Sequence, residues 1–163
     1  MTIELGVKMP CAEFSIGSFA DRMVECWSGF SEYFGVPTFE FHDSCDCDNV
    51  VRHGDYFDIH VNNDCAARVM FIHVPVVEGY EDDYDGGCWA DVSVFVRTSE
   101  SKFLMVFTAI QMAKYVKSSV VDDSLILGWS RIIDCSEIFD LMEKSKTNDL
   151  LESSNIFSTK LIN

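Results

Sequence analysis

The spacing of apolar residues changes period three times between Gly79 and Trp129, and the rest of the chain reads as material that pairs or packs with this stretch. Gly79-Tyr-Glu-Asp-Asp-Tyr-Asp-Gly-Gly87 is acidic and bounded by glycine, which predicts a loop. Cys88 to Arg97 alternates, with Trp89, Asp91, Ser93 and Phe95 on one face and Ala90, Val92, Val94 and Val96 on the other. That period predicts a strand. From Glu100 to Lys117 the apolar positions (Phe103, Leu104, Val106, Phe107, Ile110, Met112, Ala113, Tyr115 and Val116) surround most of a helix, so a heavily buried helix is expected. Glu100 at its start and Lys114 and Lys117 at its end suit the helix dipole. A second apolar run, Val120 to Leu127, predicts a further strand interrupted by Asp122 and Asp123.

Before this stretch, Thr2 to Met9 alternates, with Ile3, Leu5, Val7 and Met9 on one side, and reads as a first strand that Pro10 ends. Ser18 is the expected N-cap of a helix over 19–34, with Asp21 in its first turn. Phe19, Met23, Cys26, Trp27, Phe30, Tyr33 and Phe34 form its apolar stripe, and Gly35 and Pro37 stop it. Gly29 within it costs about 1 kcal/mol against alanine. Thr38 to His42 is a short alternating strand, 43–49 is polar turn material, and Asp55 to Val61 alternates again. Asn62-Asn-Asp64 predicts a turn between antiparallel neighbours, and Arg68 to Val74 a central strand. Near the end, Ser136 would cap a short helix over Glu137 to Lys144, and 146–163 is a polar tail with room for a further short helix.

Successive strands joined by short turns, with no helix-length crossovers among the middle ones, predict an α+β fold. The expected architecture is one domain over 1–145 with a mostly antiparallel sheet, two main amphipathic helices and a short C-terminal helix.

Composition narrows the function. The chain has 163 residues, 48% of them apolar, with 13 Phe, which is enough for one substantial core and excludes general disorder. Its formal charge of −15 argues against nucleic acid and against an anionic membrane as partners. Most of that charge lies early: residues 1–97 hold 18 acids against 5 Lys and Arg. Seven cysteines without a recognisable export signal place the protein in the cytoplasm with reduced thiols.

Candidate chemistry is sparse. His42, Cys45, Cys47, His53, His60 and Cys65 crowd one window and are zinc-ligand types, but Cys45-Asp-Cys47 is shorter than zinc-knuckle spacing. Asp43, Asp46, Asp48 and Asn49 lack the EF-hand pattern, so a solvated turn is expected rather than a calcium loop. Cys88 is the thiol expected to be most exposed, yet it sits among anions that disfavour a thiolate, and no Walker loop, dinucleotide fingerprint or nucleophile elbow is present. No cofactor is expected. Tyr80, Glu81, Asp82, Asp83, Tyr84 and Asp85 interleave tyrosine with carboxylate, a combination suited to a partner rich in Arg and Lys. Asp122 and Asp123 are the second candidate contact, set against an Asx turn or an aggregation-deterring edge charge.

The helix Phe103 to Lys117, running into Ser119-Val-Val-Asp-Asp-Ser124 after a strand with an acidic approach, resembles the small immunity proteins encoded beside bacterial polymorphic toxins. The resemblance implies a cytosolic, acidic α+β domain without enzymatic activity that blocks one cognate toxin. Such toxins are often basic nucleases, met by carboxylates placed where phosphates would sit. It makes Asp82, Asp83, Asp85, Asp122 and Asp123 the first residues to test. Two other classes stay open: a small zinc- or thiol-dependent enzyme built on His42, Cys45, Cys47 and His60, and an acidic chaperone or adaptor for a secreted effector.

Overall fold

Among the described residues, seven strands form one antiparallel sheet, and the chain threads them so that the strand starting at Cys88 takes the middle place. The computed structural model describes residues 4–9, 14–42, 51–79, 86–94, 96–121 and 132–133. In chain order the elements are β1 (Glu4–Met9), α1 (Ile16–Trp27), α2 (Ser31–Phe34), β2 (Thr38–His42), β3 (Tyr56–Asn62) and β4 (Cys65–His73). They continue with β5 (Cys88–Ser93), α3 (Ser99–Val116), β6 (Val120–Val121) and β7 (Ile132–Ile133). The sheet order is β2-β3-β4-β5-β1-β6-β7. The α+β class with an antiparallel sheet is therefore the fold of this chain.

Alternation along the strands divides the sheet into two unlike faces. Leu5, Val7, Met9, Phe57, Ile59, Ala67, Val69, Phe71, Ala90 and Val92 are buried in one apolar cluster with the helix residues Phe19, Met23, Trp27, Phe103 and Phe107. Residues one position out of phase point the other way. They include Glu40 and His42 on β2, Tyr56, Asp58 and His60 on β3, Arg68 and Met70 on β4, and Trp89 and Asp91 on β5. A one-residue slip in any pair would exchange the two sets, so the apolar set pins the register.

The helices follow from their caps. Ser15, not Ser18, caps α1: its side chain accepts from the Ser18 N–H at 3.1 Å. The helix therefore starts earlier than its stripe suggests, Asp21 falls outside the first turn, and Cys26 is exposed rather than part of the buried stripe. The single helix expected over 19–34 is two, broken by a turn at 28–30 where Gly29 offers least resistance. Thr98 caps α3 by accepting from the Ser101 N–H at 3.1 Å, and it also donates to the Asp64 carbonyl in the β3–β4 turn. Ser101 adds a bond from the Ala66 N–H at 2.9 Å. The start of α3 is thus tied to the hairpin that precedes it by over thirty residues. From Ser101 to Ala113 every residue of α3 is buried, so it is a core helix rather than an amphipathic one.

Gly35 ends the second helix at φ 105°, a conformation open to glycine almost alone. A Cβ there would lie 2.9 Å from the Val61 carbonyl oxygen, on β3. Gly35→Ala is expected to destabilise the fold by about 1–3 kcal/mol, read as a lower urea midpoint with unchanged slope. An unaltered midpoint would mean the chain relaxes freely at this corner.

β4 starts three residues before the expected Arg68 and ends one before the expected Val74, and β5 stops four residues short of the expected Arg97. The last apolar run appears as β6, which pairs with β1 (Val120 opposite Val7), and β7 adds a pair not expected from the sequence. The helix expected over Glu137 to Lys144 and the tail 146–163 lie outside the described residues. Among the described residues, no helix is long and apolar enough to cross a membrane.

Candidate functional site

Two places on this frame carry polar chemistry. The first is the face of the sheet opposite the helices, at β2, β3 and β4. Here Glu40, Asp58 and Arg68 occupy one transverse row, because Glu40 pairs with Asp58 and Asp58 with Arg68 in the antiparallel ladders. Asp58 is buried, 4% exposed, with a guanidinium on it: Arg68 Nε donates to Oδ1 at 2.7 Å and Nη2 to Oδ2 at 2.9 Å. His42 Nε2 lies 3.0 Å from the same Oδ2. A carboxylate can only accept, so the imidazole is the donor in this contact.

Tyr56 braces the group. The His42 ring stacks on it at 4.5 Å with 15° between planes, and the Arg68 guanidinium lies over the ring at 4.4 Å from its centre. Both contacts add to the hold that Asp58 already has on these two side chains. Beside them, Glu40 bridges two imidazoles: its carboxylate oxygens lie 3.9 Å from His42 Nε2 and 3.5 Å from His60 Nε2. A pocket of about 390 Å³, lined by Thr38, His60, Val61, Asn62, Ala66 and Val96 among others, opens next to His60.

The electrostatics follow from this packing. Burial pushes the Asp58 carboxyl up, but the Arg68 hydrogen bonds and charge, with His42, outweigh it and hold the group below the ordinary 3.8. Arg68 is raised in return by its bond to Asp58. The Asp58–Arg68 pair is thus ionised and mutually satisfied, which suits a positioning role better than proton transfer.

The second place is the stem of the acidic loop. β4 and β5 are the third and fourth strands of the sheet, and they pair up to His73 opposite Cys88. Val74 N–H then donates to the Gly87 carbonyl at 2.8 Å, closing the stem. Val76 is 70% exposed at its base, with Val77 exposed beside it. Tyr80, Glu81, Asp82, Asp83, Tyr84 and Asp85 lie outside the described residues, as do Asp122 and Asp123.

Among the described residues, the members of the zinc set suggested by the window 42–65 do not come together as one cluster. Cys45 and Cys47 lie outside the described residues, with the whole polar stretch Asp43 to Asn49. Of the others, His42 and His60 share the polar face of the sheet. His53 accepts from the His73 N–H at 3.0 Å in the turn before β3. Cys65 points to the helix side, where burial and then the Glu100 charge push its thiol up to about 12. Strand parity is the reason: His60 lies opposite Ala66, and Cys65, one position before Ala66 on β4, turns to the other face. Cys88, expected to be exposed, is 4% exposed and belongs to the apolar cluster, so it is no nucleophile in reach of solvent.

Glu40, Asp58, Tyr56 and Arg68 are not legible as one group from the residues alone. Its signal was present in the alternation of Glu40 and His42, then Tyr56, Asp58 and His60. What was missing was the register that sets Arg68 opposite Asp58. Comparison with protein-family models, with curated proteins and with solved structures finds no match.

Proposed function

We propose that this protein is a non-catalytic inhibitor of the immunity type, acting in the cytoplasm by binding one basic protein through its acidic first three-fifths. The observation that carries the reading is where the acid–tyrosine stretch is rooted. It connects the paired strands β4 and β5, the latter at the centre of the sheet, and exposed Val76 and Val77 stand at its base. A rigid stem lowers the ordering cost of a binding loop, and exposed valines beside carboxylates offer apolar contact together with charge pairing. With 18 acids against 5 bases in residues 1–97, long-range attraction favours a cationic partner and repels polyanions. Of the described cysteines, Cys26 and Cys65 are free thiols, which suits a reducing compartment.

The test is capture of partners by tagged protein from its native host at about 0.1 M and 0.5 M salt, across which the screening length roughly halves. The expected result is one stoichiometric basic protein, retained at low salt and lost at high salt, whose activity the purified protein blocks. Tyr84→Ala with Asp82→Asn weakens capture and inhibition together. An acidic partner, salt-independent retention, or full binding by the double variant sinks the reading.

A further inference from the structure

We propose that Glu40, Asp58 and His60 form a binding site for a divalent transition-metal ion of the zinc type on the polar face of the sheet. One donor atom from each of the three lies within 4.8 Å of the others. Tetrahedral donors about 2.0–2.2 Å from zinc stand roughly 3.3–3.5 Å apart. Glu40 Oε2 and His60 Nε2 are already separated by 3.5 Å.

The three donors differ in freedom. Asp58 is fixed, because Arg68 and His42 grip its carboxylate. The two carboxylate oxygens offer about four lone-pair positions, so the grip leaves acceptor capacity toward Glu40 and His60. This is the arrangement of outer groups orienting a ligand carboxylate. The Glu40 side chain is 62% exposed and the His60 side chain 38%, so both can close on an ion without disturbing the core.

Charge and donor type select the metal class. Arg68 offsets the charge of Asp58, leaving Glu40 as the uncompensated carboxylate, and this limits affinity for ions held by charge alone. Imidazole adds a nitrogen donor that zinc favours and magnesium does not. Three protein donors leave a fourth position for water or for a donor on a bound molecule. His60 also lines the adjoining pocket, which places that position beside a cavity.

The site does not rest on the partner reading. It also differs from the Cys45 and Cys47 set, and titration of the full chain with zinc alone, followed by calorimetry, separates them. One equivalent is expected to bind, weakened more than about tenfold by His60→Gln and by Glu40→Gln. Cys45→Ser with Cys47→Ser, and Tyr84→Ala with Asp82→Asn, should leave the titration unchanged. Cobalt bound in place of zinc should show no thiolate charge-transfer band. Far-UV circular dichroism establishes that each glutamine variant is folded. Absence of saturable zinc binding, binding that survives His60→Gln combined with Glu40→Gln, or loss in the cysteine variant overturns the proposal.

Discussion

Trp27→Ala lowers the stability of this domain by about 3–5 kcal/mol, the range for truncating a large aromatic in a packed core. The indole is completely buried and is the meeting point of both halves of the helical layer. Its ring centre lies 5.2 Å from Phe30 and 5.7 Å from Phe34, and 6.1 Å and 5.0 Å from Phe103 and Phe107 on α3. Its Nε1–H donates to the Gly35 carbonyl at 2.9 Å, tying the end of α1 to the corner before β2. Removal leaves a cavity that four rigid rings cannot fill, and it orphans that carbonyl. Against a total of about 5–15 kcal/mol for an ordinary domain, such a loss leaves the chain close to its unfolding threshold. Equilibrium urea unfolding checks it. Trp27→Phe keeps most of the apolar volume, loses the hydrogen bond, and should cost only about 1–2 kcal/mol. Equal midpoints for wild type and Trp27→Ala would show that α1 contributes little to holding α3 on the sheet.

Arg68→Ala is the second large effect, at about 2–4 kcal/mol. Breaking a fully buried ion pair costs about 3–5 kcal/mol, and the lower range here reflects the 34% exposure of the Arg68 side chain to screening water. The cost arises mainly from Asp58, which keeps its burial and loses two charge-assisted hydrogen bonds. It follows that Arg68→Met combined with Asp58→Leu should recover most of the loss, because no uncompensated charge remains. Failure of the pair to recover would assign the cost to the contact of Arg68 with Tyr56 instead.

The same group sets an acid limit. Asp58 binds its proton less readily folded than unfolded, so its contribution is whole above pH of about 3.8 and is lost as pH falls through the lower folded value. Unfolding midpoints measured at falling pH should therefore drop more steeply for the wild type than for Arg68→Met with Asp58→Leu.

Much of the fold was legible because local periodicity and burial agree here. Leu5, Val7 and Met9 alternate in the sequence and are all buried, and the run Phe103 to Ala113 is apolar around the helix and buried throughout. Boundaries were less legible where a cap competes with the stripe. Ser15 and Ser18 both can cap, and only the turn that brings the Ser15 hydroxyl onto the Ser18 N–H decides between them. The burial of Cys88 is hidden for a related reason: the glycines beside it suggest exposure, whereas its place opposite His73 and Met9 in the ladders puts it on the buried face.

By itself, then, the sequence determined the α+β class, the antiparallel order of neighbouring strands, the buried central helix and the acidic bias of the first three-fifths. These depend on residues near one another in the chain, where period and charge can be read directly. Only the tertiary structure decided that β1 inserts between β5 and β6, and that Glu40, Asp58, His60 and Arg68 share one patch of one face. Those relations depend on register between strands separated by as much as the stretch from Gly6 to Val121, and register is settled by the packing of the whole apolar face rather than by any local run.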